Sequence, residues 1–290
     1  MADAAPRFVV VLGPARSGTT LLRDLIAAHP AVAGVPFDVN HIWRTGNEAH
    51  PDDAFPAEAA RPEPARRIRE RLTALAMRNA GSSPVSGARW IAEKTVGNAL
   101  RPDFVDRVLP DATYVRIVRD PRHTIPSSIA AWKAPQDLGY LARKARYFDA
   151  RDIGYMAWYG MNAVAGRLRH GRGVKVWGAR YPGIQDDLAL YSLETVCARQ
   201  WLAAIGSIDR FFGALPADRG ISLRYEDLTS GPESLAQVWS FLGVADDALA
   251  RTVFSGRVRE ATGRTSALPD AITGDTRAAV EAKMAELGYV

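Results

Sequence analysis

Apolar positions recur along this chain in two rhythms. Phe8-Val9-Val10-Val11-Leu12 is an unbroken, mostly β-branched run, the pattern of a strand buried on both faces. A turn holding Gly13, Pro14 and Gly18 follows, and then Leu22, Leu25 and Ile26 recur at helical spacing until His29-Pro30 ends the run. Further strands are predicted over residues 89–93, 113–119 and 221–225, and residues 174–177 read as a short strand or an extended loop. Helices are predicted over 64–79, 102–109, from 125 onward, 138–170, 188–212, 231–242 and 276–287. Pro126 belongs only in a first helical turn, which places that helix's start near Ile125. Residues 188–212 carry the clearest apolar stripe, from Leu193, Val196 and Cys197 through Trp201, Ile205 and Ile208 to Phe211. Strands alternating with helices imply an α/β fold, a central and mainly parallel sheet with helices on both faces. No repeat or linker divides the chain. One domain is therefore expected over 1–290, with a loop-rich insertion at about 31–62 marked by Pro36, Pro51, Pro56 and Pro62.

Composition narrows the partners. The 290 residues carry a net charge of +5, which suits an anionic ligand, yet no Lys/Arg run interleaved with aromatics marks a nucleic-acid surface. The arginines at 66, 67, 69, 71 and 78 spread round one predicted helix and read as a solvated face. The lone Cys197 excludes an internal disulfide and a zinc cluster, and its helical apolar neighbours make it a buried structural thiol. Residues 1–6 lack the charged and apolar regions of a secretory leader, and no apolar run approaches membrane-spanning length. A soluble, cytoplasmic protein is expected.

The chemistry concentrates in two places. From Gly13 to Thr20 the spacing fits the Walker A loop, whose amides and helix N-terminus cradle phosphate. Thr19 stands where that loop needs lysine, so the cation that neutralises β- and γ-phosphates is missing, although Arg16 offers a local charge. The second place is Arg119 at a strand end, with Ser127 early in the following helix. Together they can grip one phosphate from two sides. Asp120 is a poor Walker B acid, because Arg116 and Arg119 interrupt the apolar strand before it.

Taken together, these two anchors resemble the sulfotransferase superfamily that uses 3′-phosphoadenosine 5′-phosphosulfate as donor and releases 3′,5′-ADP. The resemblance implies a P-loop NTPase-like fold and no metal. It implies that Arg16, Ser17, Gly18, Thr19 and Thr20 hold the 5′-phosphosulfate and that Arg119 and Ser127 hold the 3′-phosphate. It further implies a catalytic cation at Lys94, within Glu93-Lys94-Thr95. Arg224-Tyr225-Glu226-Asp227-Leu228 and Leu287-Gly288-Tyr289 are similar to segments of bacterial members. Cytosolic members carry a histidine base two positions after the lysine, where this chain has Val96. In tyrosylprotein-type members a glutamate serves instead, and its position falls on Phe37. Asp38 next to it is the favoured base, with His41 the rival and Glu48 third, while a cap or turn role for Asp38 is equally open. Arg44 is expected to orient the acid or the acceptor. A basic loop over the 3′-phosphate falls on Arg264 and Ser266, or on Gly256-Arg257-Val258-Arg259. The expected acceptor is a small-molecule, glycan or lipid hydroxyl, or an amine. The other functions compatible with the loops are a P-loop nucleotide kinase, which Thr19 disfavours, and a non-catalytic nucleotide-binding module.

Overall fold

Among the described residues five strands make one sheet: β1 (Arg7–Leu12), β2 (Val32–Gly34), β3 (Trp90–Glu93), β4 (Thr113–Val118) and β5 (Gly220–Arg224). Their order is β2-β3-β1-β4-β5 and every pairing is parallel. The structure, a computed structural model, describes residues 5–79, 88–135, 139, 147, 176–258, 267–272 and 274–289. The predicted helix over 138–170 therefore lies almost entirely outside the described residues.

Alternation along β1 explains its uniform apolar character. Phe8, Val10 and Leu12 enter the core on one face, and Val9 and Val11 enter the core on the other. The second face is covered by α1 (Thr19–Ile26), α8 (Tyr225–Ser230), α9 (Glu233–Phe241) and α10 (Asp247–Arg257), through Leu22, Ile26, Leu228, Val238 and Ala250. The first is covered by α3 (Pro62–Asn79), α4 (Pro102–Val108), α5 (Pro121–Lys133), α7 (Leu193–Ala214) and α11 (Gly274–Glu286). The α/β sheet with helices on both faces is thus present, and its strands are all parallel rather than mainly so.

Several boundaries differ from the sequence reading. Helix α5 begins at Pro121, not near Ile125. Asp120 caps it by accepting the Arg122 N–H at 2.8 Å, Pro121 takes the first position, and Pro126 lies inside the helix. The stripe expected from 188 is split by Ser192, whose hydroxyl caps α7 and leaves α6 (Ile184–Leu190) as a separate turn. Gly256 and Arg257, read as loop, end α10, a helix capped by Asp246. Within 31–62 lie the short edge strand β2 and one turn of helix, α2 (Asn40–Trp43). Cys197 is buried, and burial pushes its thiol up to about 12. On α3, Arg66 and Arg67 pair with Glu63 in solvent, whereas Arg69 is half-buried, bonded to Asp111 and stacked over Phe8, so the face is not wholly solvated. No helix among the described residues is long and apolar enough to cross a membrane.

Candidate active site

Register carries the chemistry to one edge of the sheet. Val10 lies beside Glu93, Leu12 beside Arg116, and Val118 beside Arg224. The residues that follow these strands, Gly13, Lys94, Arg119 and Tyr225, therefore emerge together at the carboxyl edge, where open parallel sheets bind ligands.

The glycine loop is built for close approach of its backbone. A Cβ on Gly13 would lie 2.5 Å from the Ile117 carbonyl oxygen, and one on Gly18 would lie 2.4 Å from the Tyr225 ring. Gly18 has φ 86° and Arg16 has φ 68°, both in the left-handed region. The Ser17 N–H closes the turn on the Pro14 carbonyl at 3.2 Å, and α1 starts at Thr19 without a side-chain cap. Ser17 is fully buried and its hydroxyl finds no partner among the described residues. Thr19 is buried and Thr20 exposed.

The second anchor touches the first. Arg16 Nε donates to Ser127 Oγ at 2.9 Å, and an Arg119 Nη donates to the Arg16 carbonyl at 3.3 Å. The Arg119 guanidinium stacks 4.0 Å above the Tyr225 ring, and its buried Nε has no partner among the described residues. Because α5 starts early, Ser127 sits in the second helical turn, so it offers a hydroxyl rather than a helix N-terminus. Asp120 is committed to the Arg122 N–H and side chain, the latter at 2.7 Å. Among the described residues no group of three His, Cys, Asp or Glu is placed to hold a metal.

Lys94 and Asp38 meet beside the loop. Lys94 Nζ lies 3.7 Å from Asp38 Oδ2, which also accepts the Val96 N–H at 2.8 Å. Asp38 is thus both partner to the lysine and acceptor for the first N–H of the turn Val96–Leu100. Burial lowers the pKa of Lys94, against the opposing pull of Asp38. Phe37 packs edge-to-face on Tyr147, so the carboxylate at 38 is the one facing the lysine. His41 is buried in α2. Glu48 is exposed and accepts the Gly46 N–H at 2.8 Å, within its own turn.

Glu93, which the sequence reading passed over, organises this corner. Fully buried, it accepts from Thr95 Oγ1 at 2.6 Å, Trp43 Nε1 at 3.0 Å and Asn98 Nδ2 at 3.1 Å. Thr95 in turn accepts the Val39 N–H at 3.1 Å, which pins the backbone next to Asp38. Burial raises the Glu93 pKa, while the Thr95 and Trp43 hydrogen bonds oppose it. Its signal in the sequence was an acid ending an otherwise apolar strand.

Arg44 does not face the site. Fully buried, it binds Asp53 Oδ1 at 3.0 Å and the carbonyls of Glu48 and Asp52, and so holds the 44–53 turn together. Arg257 reaches the Asp24 carbonyl at 3.0 Å. Arg264 and Ser266 lie outside the described residues. Between α1 and β2 a cavity of about 640 Å³ is lined by Arg23, His29, Val32, Pro36, Asn79 and Arg257, ending two residues short of Asp38.

A family model described as "Sulfotransferase family" matches residues 6–176, more than half the chain and the part holding the glycine loop, Lys94, Arg119 and Ser127. Among solved structures, a sulfotransferase from Mycobacterium avium is similar with a TM-score of 0.56 at 13% identity, covering 98% of this chain and 76% of that one. A sulfotransferase domain from the curacin biosynthetic pathway gives 0.49 at 16% identity, covering 98% of each chain. A sulfotransferase from Alicyclobacillus acidocaldarius gives 0.46 at 15%, covering 98% and 92%. No curated protein matches the chain. At such identities the structural likeness speaks to fold alone, and the assignment rests on the family match: this chain belongs to the sulfotransferase family.

Proposed function

We propose that this sulfotransferase takes its sulfuryl group from 3′-phosphoadenosine 5′-phosphosulfate and passes it to a hydroxyl or amine of a small molecule, glycan or lipid. We place the reaction in the cytoplasm and assign it to one domain spanning 1–290. The observation that carries the donor reading is the contact between the two anchors, through Arg16 to Ser127 and Arg119 to the Arg16 carbonyl. A ligand anionic at both ends would engage both anchors at once. Two buried groups without partners among the described residues, Ser17 Oγ and Arg119 Nε, sit one in each anchor. Thr19 in the lysine position and Asp120 held by Arg122 speak against a nucleotide kinase.

The donor supplies the sulfuryl group and a phosphate leaving group. The amides of Arg16, Gly18, Thr19 and Thr20, with the hydroxyls of Ser17, Thr19 and Thr20, orient the 5′ end, helped by the N-terminus of α1. Arg119 and Ser127 hold the 3′-phosphate by charge-assisted hydrogen bonds. The Lys94 ammonium stabilises charge on the bridging oxygen as the sulfur–oxygen bond breaks. Asp38 takes the acceptor's proton, with His41 as its rival for that role. Positioning and charge stabilisation then account for catalysis, as in phosphoryl transfer.

Titration calorimetry with 3′,5′-ADP, AMP and ATP tests the donor reading. Tight binding is expected for 3′,5′-ADP alone, and equal affinity for AMP would overturn the 3′-phosphate role of Arg119 and Ser127. A non-catalytic module would bind 3′,5′-ADP yet give no sulfated product from a broad library of alcohols and amines.

A further inference from the structure

The strand end that carries Arg119 has a brace of its own. The Asp120 N–H, directly after Arg119, donates to Glu226 Oε1 at 3.2 Å. The other carboxylate oxygen of Glu226 accepts from the Tyr289 hydroxyl at 3.0 Å. Tyr289 is buried, with the Arg224 guanidinium 4.3 Å above its ring and Arg224 donating to the Gly288 carbonyl at 3.3 Å. The Asp120 carboxylate is occupied by Arg122 and the first turn of α5. Glu226 is thus a side-chain tie between the end of β4 and the start of α8, the helix whose first residue, Tyr225, lies under the Arg119 guanidinium.

We propose that Glu226 is a positioning residue for recognition of the donor's 3′-phosphate, fixing the backbone from which Arg119 projects, and that Tyr289 holds Glu226 in place. This rests on the donor reading above. A carboxylate bonded to the backbone N–H next to Arg119 adds negative charge on the side where a phosphate must bind, and this is offset only by a geometric gain. That gain is preorganisation, since a guanidinium already held in place loses less freedom on binding. The two effects of Glu226 differ in sign. As a bare charge it weakens phosphate binding, and its removal tightens it. As a brace it strengthens binding, and its removal loosens it.

Calorimetric affinities of 3′,5′-ADP and AMP for the full chain and for Glu226→Ala, Glu226→Gln and Tyr289→Phe separate these cases. Glu226→Ala is expected to cut the preference for 3′,5′-ADP over AMP about tenfold, the scale of one hydrogen bond to a charged group, with AMP affinity unchanged. Glu226→Gln keeps an acceptor for the Asp120 N–H and retains the preference. Tyr289→Phe lowers it by a few fold. A preference that Glu226→Ala leaves unchanged or increases, or an equal loss for both ligands, overturns the positioning role and leaves the donor reading intact. If Glu226→Ala does not fold, Tyr289→Phe decides, and an unchanged preference there overturns the proposal. A wild-type chain without preference overturns the donor reading itself, and the proposal with it.

Discussion

Lys94 is a cation in a place that resists charge. Its side chain is buried, and desolvation favours the neutral amine, while Asp38 at 3.7 Å favours the ammonium. A lysine whose pKa is lowered loses its proton at a lower pH than an exposed one. Turnover that needs the ammonium should therefore fall on the alkaline side below the ordinary lysine value of 10.5. Asp38→Asn keeps a carbonyl oxygen for the Val96 N–H but removes the charge that supports the ammonium. That variant is expected to move the alkaline limb of the pH–rate profile to lower pH, besides slowing the reaction through loss of the proposed base. The profile is read from release of 3′,5′-ADP from the proposed donor. An alkaline limb at the same pH in both proteins would separate Asp38 from Lys94 and undo the pairing proposed for catalysis.

At the scale of elements, α5 shows a helix whose local signals disagree. Asp120 and Pro121 start it well, with a side-chain cap and a proline in the first position, and Pro126 then falls five residues in. There its ring removes the N–H that would bond the Arg122 carbonyl, a defect worth about 3 kcal/mol in an undistorted helix interior. The helix persists because Ile125, Ser128 and Trp132 are buried beneath it. Pro126→Ala should raise stability, by up to about 3 kcal/mol, as measured by urea unfolding. No gain would mean that the helix already bends around the ring at no cost. The same element carries Ser127, so the variant also reports whether donor affinity depends on the local backbone.

For the molecule as a whole, one buried acid ties distant segments together. Asp53 lies within 3.0 Å of Arg44, 3.8 Å of Arg101 and 3.6 Å of Arg180, and it accepts from Asn40 Nδ2 at 3.0 Å and the Arg180 N–H at 2.9 Å. Burial alone would raise its pKa, but the guanidiniums of Arg101 and Arg180 and these hydrogen bonds more than reverse it, so the folded value is depressed. Burial also pushes Arg101 down to about 10. A depressed carboxyl pKa contributes stability that is present above the unfolded value and is lost as pH falls through the folded one. Asp53→Asn should thus destabilise the protein by roughly 3–5 kcal/mol near neutrality, because it leaves buried guanidiniums without their anion. The gap between the two proteins should narrow as pH falls below about 4. Urea unfolding at pH 7 and pH 3 checks this, and a gap independent of pH would exclude the ion cluster as its source.

What the linear sequence determined is what short-range physics controls. Phe8 to Leu12 had to be a doubly buried strand, because its side chains alternate between two apolar cores. Gly13 and Gly18 had to be glycines, because one abuts a carbonyl oxygen and the other a ring at positive φ. The position of Arg119 at a strand end was legible for the same reason, since hydrophobic periodicity marks where a strand stops. The register of parallel strands decided the rest. Arg16 and Ser127 stand 111 positions apart and become hydrogen-bonded only because β1 and β4 are neighbours. Asp38 reaches Lys94, and Glu93 collects Trp43, Thr95 and Asn98, only once β3 lies beside β1 and the 37–43 segment folds over its end. No local pattern encodes such meetings, since the free energy that sets strand order comes from burying both sheet faces at once rather than from any segment alone.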